Sequence, residues 1–325
     1  MRTVDRETFG RGDTVLLTGA AGFVGSAIRR EFLRRLPDVS LLAVSRRADR
    51  RSEGAAEGGP VRACDLRDPA QVVALPFDRI HGLIHAAAAT PGASGDFFED
   101  NVRATWNLLA GLRAAPLRSV LLISSVSVYD WRTPRPETVH LREDADCLAP
   151  DDYGRSKLVQ EWLIRAFADT RLRVCIFRPS SIFGPRMPPR SVLPRWLAAS
   201  LRGEPLRLTG PIGYRQNFVY VEDVAALACR AFAEGVQGIF NLFSPDTVDL
   251  PALAETVRRI TGNPHPVEDA QQNSPCAQLE FDNRRLIEAF HPSFTPLMTG
   301  LQATLDWFTI HGTGNPLWQA TDANA

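Results

Sequence analysis

The chain has 325 residues, and its 37 basic side chains balance its 37 acidic ones, so its formal net charge at neutral pH is zero. This balance argues against a strongly basic nucleic-acid-binding surface and against a polybasic membrane-binding domain. The hydrophobic content of 44% and the charged content of 23% are those of an ordinary globular protein. The length suffices for one large domain or for two smaller ones.

Targeting signals and disulfides are not indicated by the sequence. No apolar run approaches the roughly 18 residues that a transmembrane helix needs. Residues 1–12 are polar and charged, without the apolar segment of a signal peptide. Five cysteines lie far apart and form no CxxC motif: Cys64, Cys147, Cys175, Cys229 and Cys276. An odd, scattered set of cysteines is not a disulfide framework, so we expect free thiols and a cytoplasmic protein.

Apolar β-branched runs alternate with helical periodicity along the first half of the chain. In chain order we predict a strand at 14–18, a helix at 26–36, strands at 39–44, 61–64 and 82–85, a helix at 97–112, a strand at 119–124, a helix at 153–168 and a strand at 172–177. This alternation indicates a parallel sheet with helices on both faces and right-handed crossovers. Residues 179–217 are rich in Pro, Gly and Arg with one helix at 192–201, residues 218–232 again form a strand and a helix, and short helices follow from Ser244.

Three glycines, Gly19, Gly22 and Gly25, lie between the first predicted strand and the first predicted helix. In this context a GxxGxxG spacing is typical of dinucleotide binding. The first glycine permits a tight turn, the second lets the backbone approach a pyrophosphate, and the third lets the helix pack closely on the strand. The alternative is a tight turn that binds no ligand.

These elements predict an α/β fold, a doubly wound parallel (Rossmann) sheet with a smaller, mostly C-terminal α/β substrate-binding domain. The dinucleotide-binding domain is predicted over residues 12–178, with residues 216–243 returning to it. The substrate-binding domain is predicted from residues 179–215 and 244–318.

The second predicted strand ends at Ser45, Arg46 and Arg47, about 20 residues after the last glycine. NAD enzymes usually carry Asp or Glu at this distance to accept a hydrogen bond from the ribose 2′-hydroxyl. A serine removes that negative charge, and an arginine can pair with a 2′-phosphate. We therefore predict a preference for NADP(H) over NAD(H), with Arg46 the stronger candidate; the alternative is that both arginines are solvated loop charges. Asp65 and Leu66, after the third strand, are placed to contact the adenine.

Lys157 is the only lysine of the chain, and it lies four residues after Tyr153 on a predicted helix. Residues four apart share a helix face, so the phenol and the ammonium should point into one site. An ordinary phenol has a pKa of about 10, which a nearby ammonium lowers. Tyr153 can then exchange a proton with a substrate hydroxyl near neutral pH. Ser125, at the carboxyl end of the fifth strand, can hydrogen-bond the same substrate oxygen, or can simply form a turn.

At this point the chain resembles the extended short-chain dehydrogenase/reductase superfamily, of the NAD-dependent epimerase/dehydratase type. The motifs that carry the resemblance span about residues 12–245 in the order of the family: TGAAGFVG (18–25), DL (65–66), HAAA (85–88), NVRATWNLL (101–109), SSVSVY (124–129), YGRSK (153–157), RPSSIFGP (178–185) and NFVYVEDVA (217–225). The resemblance implies hydride transfer at a ketone or secondary alcohol, often on a nucleotide sugar, and commonly a homodimer through the helices predicted at 97–112 and 153–168.

The resemblance also implies which residues act. The implied catalytic set is Ser125, Tyr153 and Lys157. The full set of candidate cofactor-binding residues, which includes those named above, is Gly19, Gly22, Phe23, Val24, Gly25, Ser45, Arg46, Arg47, Asp65, Leu66, Ala86, Ala87, Ala88, Asn101, Ser124, Tyr153, Lys157, Pro179 and Ile182. Candidate substrate contacts are Thr90, Ser127, Ser181, Arg186, Arg190, Arg215 and Gln216.

Three departures from the family pattern narrow the activity. The Asp-Glu pair that follows the catalytic Thr or Ser in the 4,6-dehydratases is absent after Ser125, which argues against a dehydratase. Ser181 replaces an asparagine that often meets the nucleotide phosphates. Gln216 stands where an arginine often clamps the diphosphate, and Arg215, one place earlier, would need a strand bulge to reach it. Arg186 and Arg190 could supply another anion site, with solvated loop charges as the alternative.

We therefore predict an NADP(H)-dependent oxidoreductase that reduces a ketone on a sugar, nucleotide-linked or otherwise polar, with Tyr153 as the acid. An epimerase that recycles bound NAD(P) is the alternative enzyme. A non-catalytic NADP-binding sensor or scaffold is the alternative of another class. No metal is expected, because the six histidines show no ligand spacing. The expected partners are a small-molecule substrate and a second copy of the chain, with no nucleic acid and no membrane.

Overall fold

The computed structural model describes residues 9–47, 59–92, 95–131, 133, 135–188, 191–208, 215–269 and 278–311. Arg190, Cys276 and residues 48–58 lie outside this part of the chain. Among the described residues, none of the helices combines the length and the hydropathy that a transmembrane span requires. The four described cysteines carry free thiols.

A seven-stranded sheet forms the centre of the molecule. Its strands are β1 (Thr14–Thr18), β2 (Ser40–Ser45), β3 (Arg62–Ala63), β4 (Ile80–His85), β5 (Ser119–Ile123), β7 (Arg173–Pro179) and β11 (Gly238–Leu242). Their order across the sheet is β11-β7-β5-β4-β1-β2-β3, and every neighbouring pair is parallel. The predicted fold class, a doubly wound parallel sheet with helices, is confirmed.

The helices between these strands cover both faces of the sheet. They are α1 (Phe23–Arg35), α2 (Pro69–Val73), α3 (Ala104–Gly111), α4 (Asp152–Phe167) and α6 (Val221–Ala233). Along β1, Val15 and Leu17 enter the core shared with α1 and α6, whereas Leu16 enters the core shared with α3 and α4. Successive strand residues point to opposite faces, and both faces are buried. This explains why β1 is an unbroken apolar run.

The remaining elements lie mainly in the C-terminal half. They are β6 (Val139–Leu141), β8 (Ser181–Phe183), α5 (Val192–Leu201), β9 (Arg207–Leu208), β10 (Arg215–Tyr220), β12 (Thr247–Asp249), α7 (Leu250–Thr261), β13 (Glu268–Asp269), β14 (Leu279–Phe281), α8 (Arg284–Phe290) and α9 (Leu297–His311). Strands β12, β10 and β8 form a second sheet, whose Phe183 and Phe218 pack with α5, α7 and α9. The predicted domain boundaries stay predictions.

The segment predicted as one helix at 97–112 has a more varied backbone. A π-helix (Phe98–Arg103) precedes α3, and a 3-10 turn (Leu112–Ala114) follows it. The carbonyl of Asn101 accepts from the hydroxyl of Thr105 at 2.6 Å and from the side-chain amide of Gln160 at 3.2 Å. The Asn101 carbonyl thus accepts from side chains of both this segment and α4. Such π-turns favour functional regions, and this one borders the candidate site.

Candidate active site

The glycines of the turn between β1 and α1 allow close backbone contacts that a side chain would prevent. Gly19 has a φ of +68°, and a Cβ there would lie 2.7 Å from the amide nitrogen of Ala87. A Cβ on Gly25 would lie 2.1 Å from the carbonyl oxygen of Gly19. The exposed Gly22 is the N-cap residue of α1, whose first turn holds no acidic residue. A helix N-terminus presented in this way suits a phosphate, so the chain's own geometry fits a dinucleotide.

A cavity of about 510 Å³ opens beside this turn, at the carboxyl ends of β1, β2, β3 and β4. Its lining includes most of the predicted cofactor residues and one predicted substrate residue: Gly19, Gly22, Ser45, Arg46, Arg47, Asp65, Leu66, Ala86, Ala87, Ala88 and Thr90. Phe23 and Val24 instead pack half-buried against the core beneath the turn. Pro179 ends β7, and Ile182 lies half-buried on β8.

Charged side chains cluster at the β2–β3 end of the cavity. Asp100, whose side chain is 6% exposed, accepts from Arg46 at 3.1 Å and from Arg67 at 3.2 Å through the same oxygen. Arg67 also pairs with Asp65 at 2.6 Å, and hydrogen bonds from Arg67 hold the pKa of that carboxyl below its usual range. Sequence reasoning missed Asp100 and Arg67. No spacing connects positions 46, 67 and 100, which only the fold brings together.

The first turn of α4 packs directly on the loop that follows β5. Asp151 caps the helix by accepting from the amide of Gly154 at 2.7 Å. A Cβ on Gly154 would lie 2.0 Å from the carbonyl oxygen of Ser127, so only glycine allows this approach. Tyr153 is half-buried, with its ring centroid 5.7 Å from that of Phe97.

The two serines after β5 have different surroundings. The hydroxyl oxygen of Ser125 accepts from the amide of Ser127 at 3.1 Å and so caps the 3-10 turn Val126–Val128. Its proton can still be donated to a substrate oxygen. The buried hydroxyl of Ser124 donates to the carboxylate of Glu161. A cofactor contact from Ser124 would therefore come from its backbone.

Lys157 is almost entirely buried, with 1% exposure. Its Nζ donates to the carbonyl of Ile123 at 2.7 Å and to Oε1 of Gln160 at 2.7 Å. Burial lowers the pKa of the ammonium to about 7, against the opposing effect of Glu161. The predicted lysine thus lies directly beneath the end of β5, one turn along α4 from Tyr153.

Asn101 connects the loop after β4 to α4. Its side-chain oxygen accepts from the amide of Ala89 at 2.7 Å, and its nitrogen donates to the hydroxyl of Ser156 at 2.8 Å. The side chain is fully buried. Asn101 therefore braces the alanine-rich wall of the cavity.

The predicted substrate residues are more dispersed. Ser127 is buried and Ser181 is exposed, while Arg186 is exposed with a φ of +69°. Arg215 donates to the hydroxyl and carbonyl oxygens of Thr247 on the neighbouring strand.

Strand β10 pairs regularly with β12 at this point. Arg215 lies opposite Asp249 and Gln216 opposite Val248, with no bulge at either pair. The bulge that would bring Arg215 to the family's diphosphate position is therefore not formed.

Residues 15–242 match the model of the NAD-dependent epimerase/dehydratase family. The chain belongs to this family. A dTDP-4-dehydro-6-deoxy-D-allose reductase from a Streptomyces species is 27% identical over 327 residues, covering 92% of this chain and 97% of the relative. The trifunctional UDP-glucose 4,6-dehydratase/UDP-4-keto-6-deoxy-D-glucose 3,5-epimerase/UDP-4-keto-L-rhamnose-reductase of Arabidopsis thaliana is 24% identical over 322 residues, covering 94% of this chain. This epimerase/dehydratase-family chain spans 48% of the Arabidopsis protein, about half its length.

A comparison with solved structures agrees with the fold. The dTDP-glucose 4,6-dehydratase of Bacillus anthracis, in complex with NAD, has a TM-score of 0.79 to this chain at 18% identity. The match covers 95% of this chain and 99% of that one. At this identity the likeness shows the fold alone.

Proposed function

We propose that this protein is an NADP(H)-dependent oxidoreductase that reduces a ketone on a nucleotide-linked sugar. The observation that carries the proposal is the packing of α4 on the loop after β5, because α4 carries Tyr153 and Lys157 and that loop carries Ser125. The glycine turn and the cavity beside it lie at the same carboxyl edge of the sheet. The name of the Streptomyces relative, a reductase of a dTDP-linked keto sugar, supports the same reaction class.

The reaction follows from the chemistry of these side chains. When bound at the glycine turn, NADPH supplies the hydride. Tyr153 donates a proton to the carbonyl oxygen of the substrate, and Ser125 donates a hydrogen bond to the same oxygen. The Lys157 ammonium lies one turn along α4 from Tyr153, where a positive charge stabilises the phenolate that proton transfer leaves.

The preference for NADP(H) rests on the end of β2. Ser45 leaves this strand end without a carboxylate, and Arg46, Arg47 and Arg67 all line the cavity there. Guanidinium groups form paired, charge-assisted hydrogen bonds with phosphate, which suits a 2′-phosphate.

The second candidate is an epimerase that recycles bound NAD. Asp100 favours it, because this carboxylate already accepts from Arg46 and Arg67 inside the cavity. A 2′-phosphate would have to compete with Asp100 for both guanidinium groups, whereas NAD would not.

The test is the replacement of Tyr153 by phenylalanine. The variant should lose turnover of a nucleotide-linked 4-keto sugar by about 100-fold or more, while its affinity for NADPH stays nearly unchanged. Retained turnover would remove Tyr153 from its role.

We further propose that the protein forms a homodimer through α3 and α4. Trp106 and Trp162 are 55% and 64% exposed on these two helices. They border a groove of about 390 Å³ whose other lining residues are largely apolar. Large apolar side chains gathered on one exposed face are typical of protein–protein interfaces.

A further inference from the structure

We propose that Gln160 is a positioning residue of the reductase, which holds the ammonium of Lys157 through its side-chain amide oxygen. The inference deepens the proposed function and rests on it for the role of Lys157. Gln160 lies three residues after Lys157 on α4 and is fully buried. Positions three apart share a helix face, so the two side chains meet beneath the end of β5.

The two acceptors of the Lys157 ammonium are both neutral. One is the carbonyl oxygen of Ile123 and the other is Oε1 of Gln160, each 2.7 Å from Nζ. The Ile123 carbonyl belongs to the rigid sheet, so Gln160 is the side chain whose replacement changes the environment of the ammonium. A charge held by uncharged acceptors remains sensitive to each of them, because burial has removed the water.

The opposite end of the Gln160 amide fixes its orientation. Its nitrogen donates to the hydroxyl of Thr105 at 2.7 Å and to the carbonyl of Asn101 at 3.2 Å. If the Gln160 amide were rotated by 180°, its NH₂ group would face the ammonium of Lys157 and its oxygen would face the Asn101 carbonyl. Both contacts would be repulsive. The surrounding hydrogen bonds therefore hold the oxygen toward Lys157.

The charged and titratable groups around Lys157 do not take over this role. Glu161 on the same helix forms its salt bridge with Arg178, at 2.7 Å. His85 on β4 lies 2.9 Å from the hydroxyl of Thr105 and 3.3 Å from the side-chain amide nitrogen of Gln160, and burial lowers its pKa to about 3, so it is neutral. Tyr153, one turn earlier, is the group on which Lys157 acts. Gln160 therefore determines how firmly the ammonium is held and over which pH range it persists.

The single lysine makes a direct test available. Isotope-labelled lysine gives one side-chain resonance, whose pH titration reports Lys157 without any need for turnover. In Gln160→Leu the ammonium loses one of its two hydrogen bonds, so the titration midpoint should fall by about one to two pH units. In Gln160→Glu a carboxylate replaces the amide at nearly the same size, so the midpoint should rise by about one unit or more. Gln237→Glu, at an exposed loop position, is the matched charge control and should not move it.

The catalytic consequence is measured in the same variants. Activity in the direction of reduction requires the ammonium, so the alkaline fall of kcat/KM for NADPH-dependent reduction should move to lower pH in Gln160→Leu and to higher pH in Gln160→Glu. Equal losses of kcat/KM at every pH, with an unmoved resonance, would show a merely structural role and overturn the inference. If Gln160→Leu fails to fold, the nearly isosteric Gln160→Glu carries the test alone. If the wild-type protein reduces no keto sugar, the proposed function fails, whereas the lysine titration still decides the role of Gln160.

Discussion

The buried ion pair between Glu161 and Arg178 offers a quantitative test of how α4 is held to the sheet. The carboxylate of Glu161 accepts from Nε of Arg178 at 3.0 Å and from Nη2 at 2.7 Å. The two side chains are 2% and 3% exposed. Leucine at position 161 leaves the guanidinium buried without its countercharge, which should lower the free energy of unfolding by about 3–5 kcal/mol. Methionine at position 178 leaves the carboxylate of Glu161 buried without its countercharge. It should lower the free energy of unfolding by a similar amount.

The double variant Glu161→Leu/Arg178→Met removes both charges together. It should cost much less than the sum of the single variants, because paired burial of charges is roughly balanced by their desolvation. A residual loss of about 1–3 kcal/mol is expected from the hydroxyls of Ser124 and Tyr129, which lose their charged partners. The predicted coupling energy between positions 161 and 178 is therefore at least about 3 kcal/mol.

The assay is urea unfolding followed by far-ultraviolet circular dichroism, with the four proteins of the cycle compared at one pH. The surface pair Arg202–Glu204, at 2.8 Å but with side chains 44% and 51% exposed, is the matched control and should yield less than about 1 kcal/mol. Single losses below about 1 kcal/mol, or additive losses in the double variant, would refute the reasoning.

Two further predictions concern the cofactor and the assembly. Arg46→Ala should weaken NADPH binding by about 10-fold or more while leaving NADH binding nearly unchanged, because only the 2′-phosphate distinguishes the two cofactors. Equal losses of affinity for both cofactors in fluorescence titrations would contradict a contact between Arg46 and the 2′-phosphate. Arg47→Ala measures the contribution of the neighbouring guanidinium. Trp162→Glu should convert a dimer to a monomer in light scattering, because it places a charge in the apolar face of α3 and α4; an unchanged mass would contradict the proposed interface.

The fold could be predicted because its signals are local. The run from Thr14 to Thr18 gives β1 at its predicted bounds, and the helix predicted at 192–201 is also observed there. In the β1–α1 turn, Gly22 and Gly25 are required by close contacts with Gly19 a few residues earlier, whereas Gly19 itself is crowded by Ala87, just after the end of β4. Fold-level rules for alternating strands and helices then supply the parallel sheet.

The partners within the site could not be predicted in the same way. Asp100 reaches Arg46 across 54 positions, and Glu161 reaches Arg178 across 17. Such contacts depend on how elements pack, and no periodicity reports them. Gln160 is the exception, because its position three residues after Lys157 places both on one helix face. A polar residue on the same helix face as Lys157 is a signal that the sequence alone contains.

The most direct test of the central claim is the stoichiometry of NADPH oxidation with a nucleotide-linked 4-keto sugar. The purified protein is mixed with a known amount of the keto sugar and excess NADPH, and the cofactor consumed is compared with the product formed. A reductase consumes one NADPH for each product hydroxyl formed, and this is the result we expect. Conversion of a nucleotide sugar to its epimer with no net consumption of cofactor would contradict the claim and establish the recycling reaction instead.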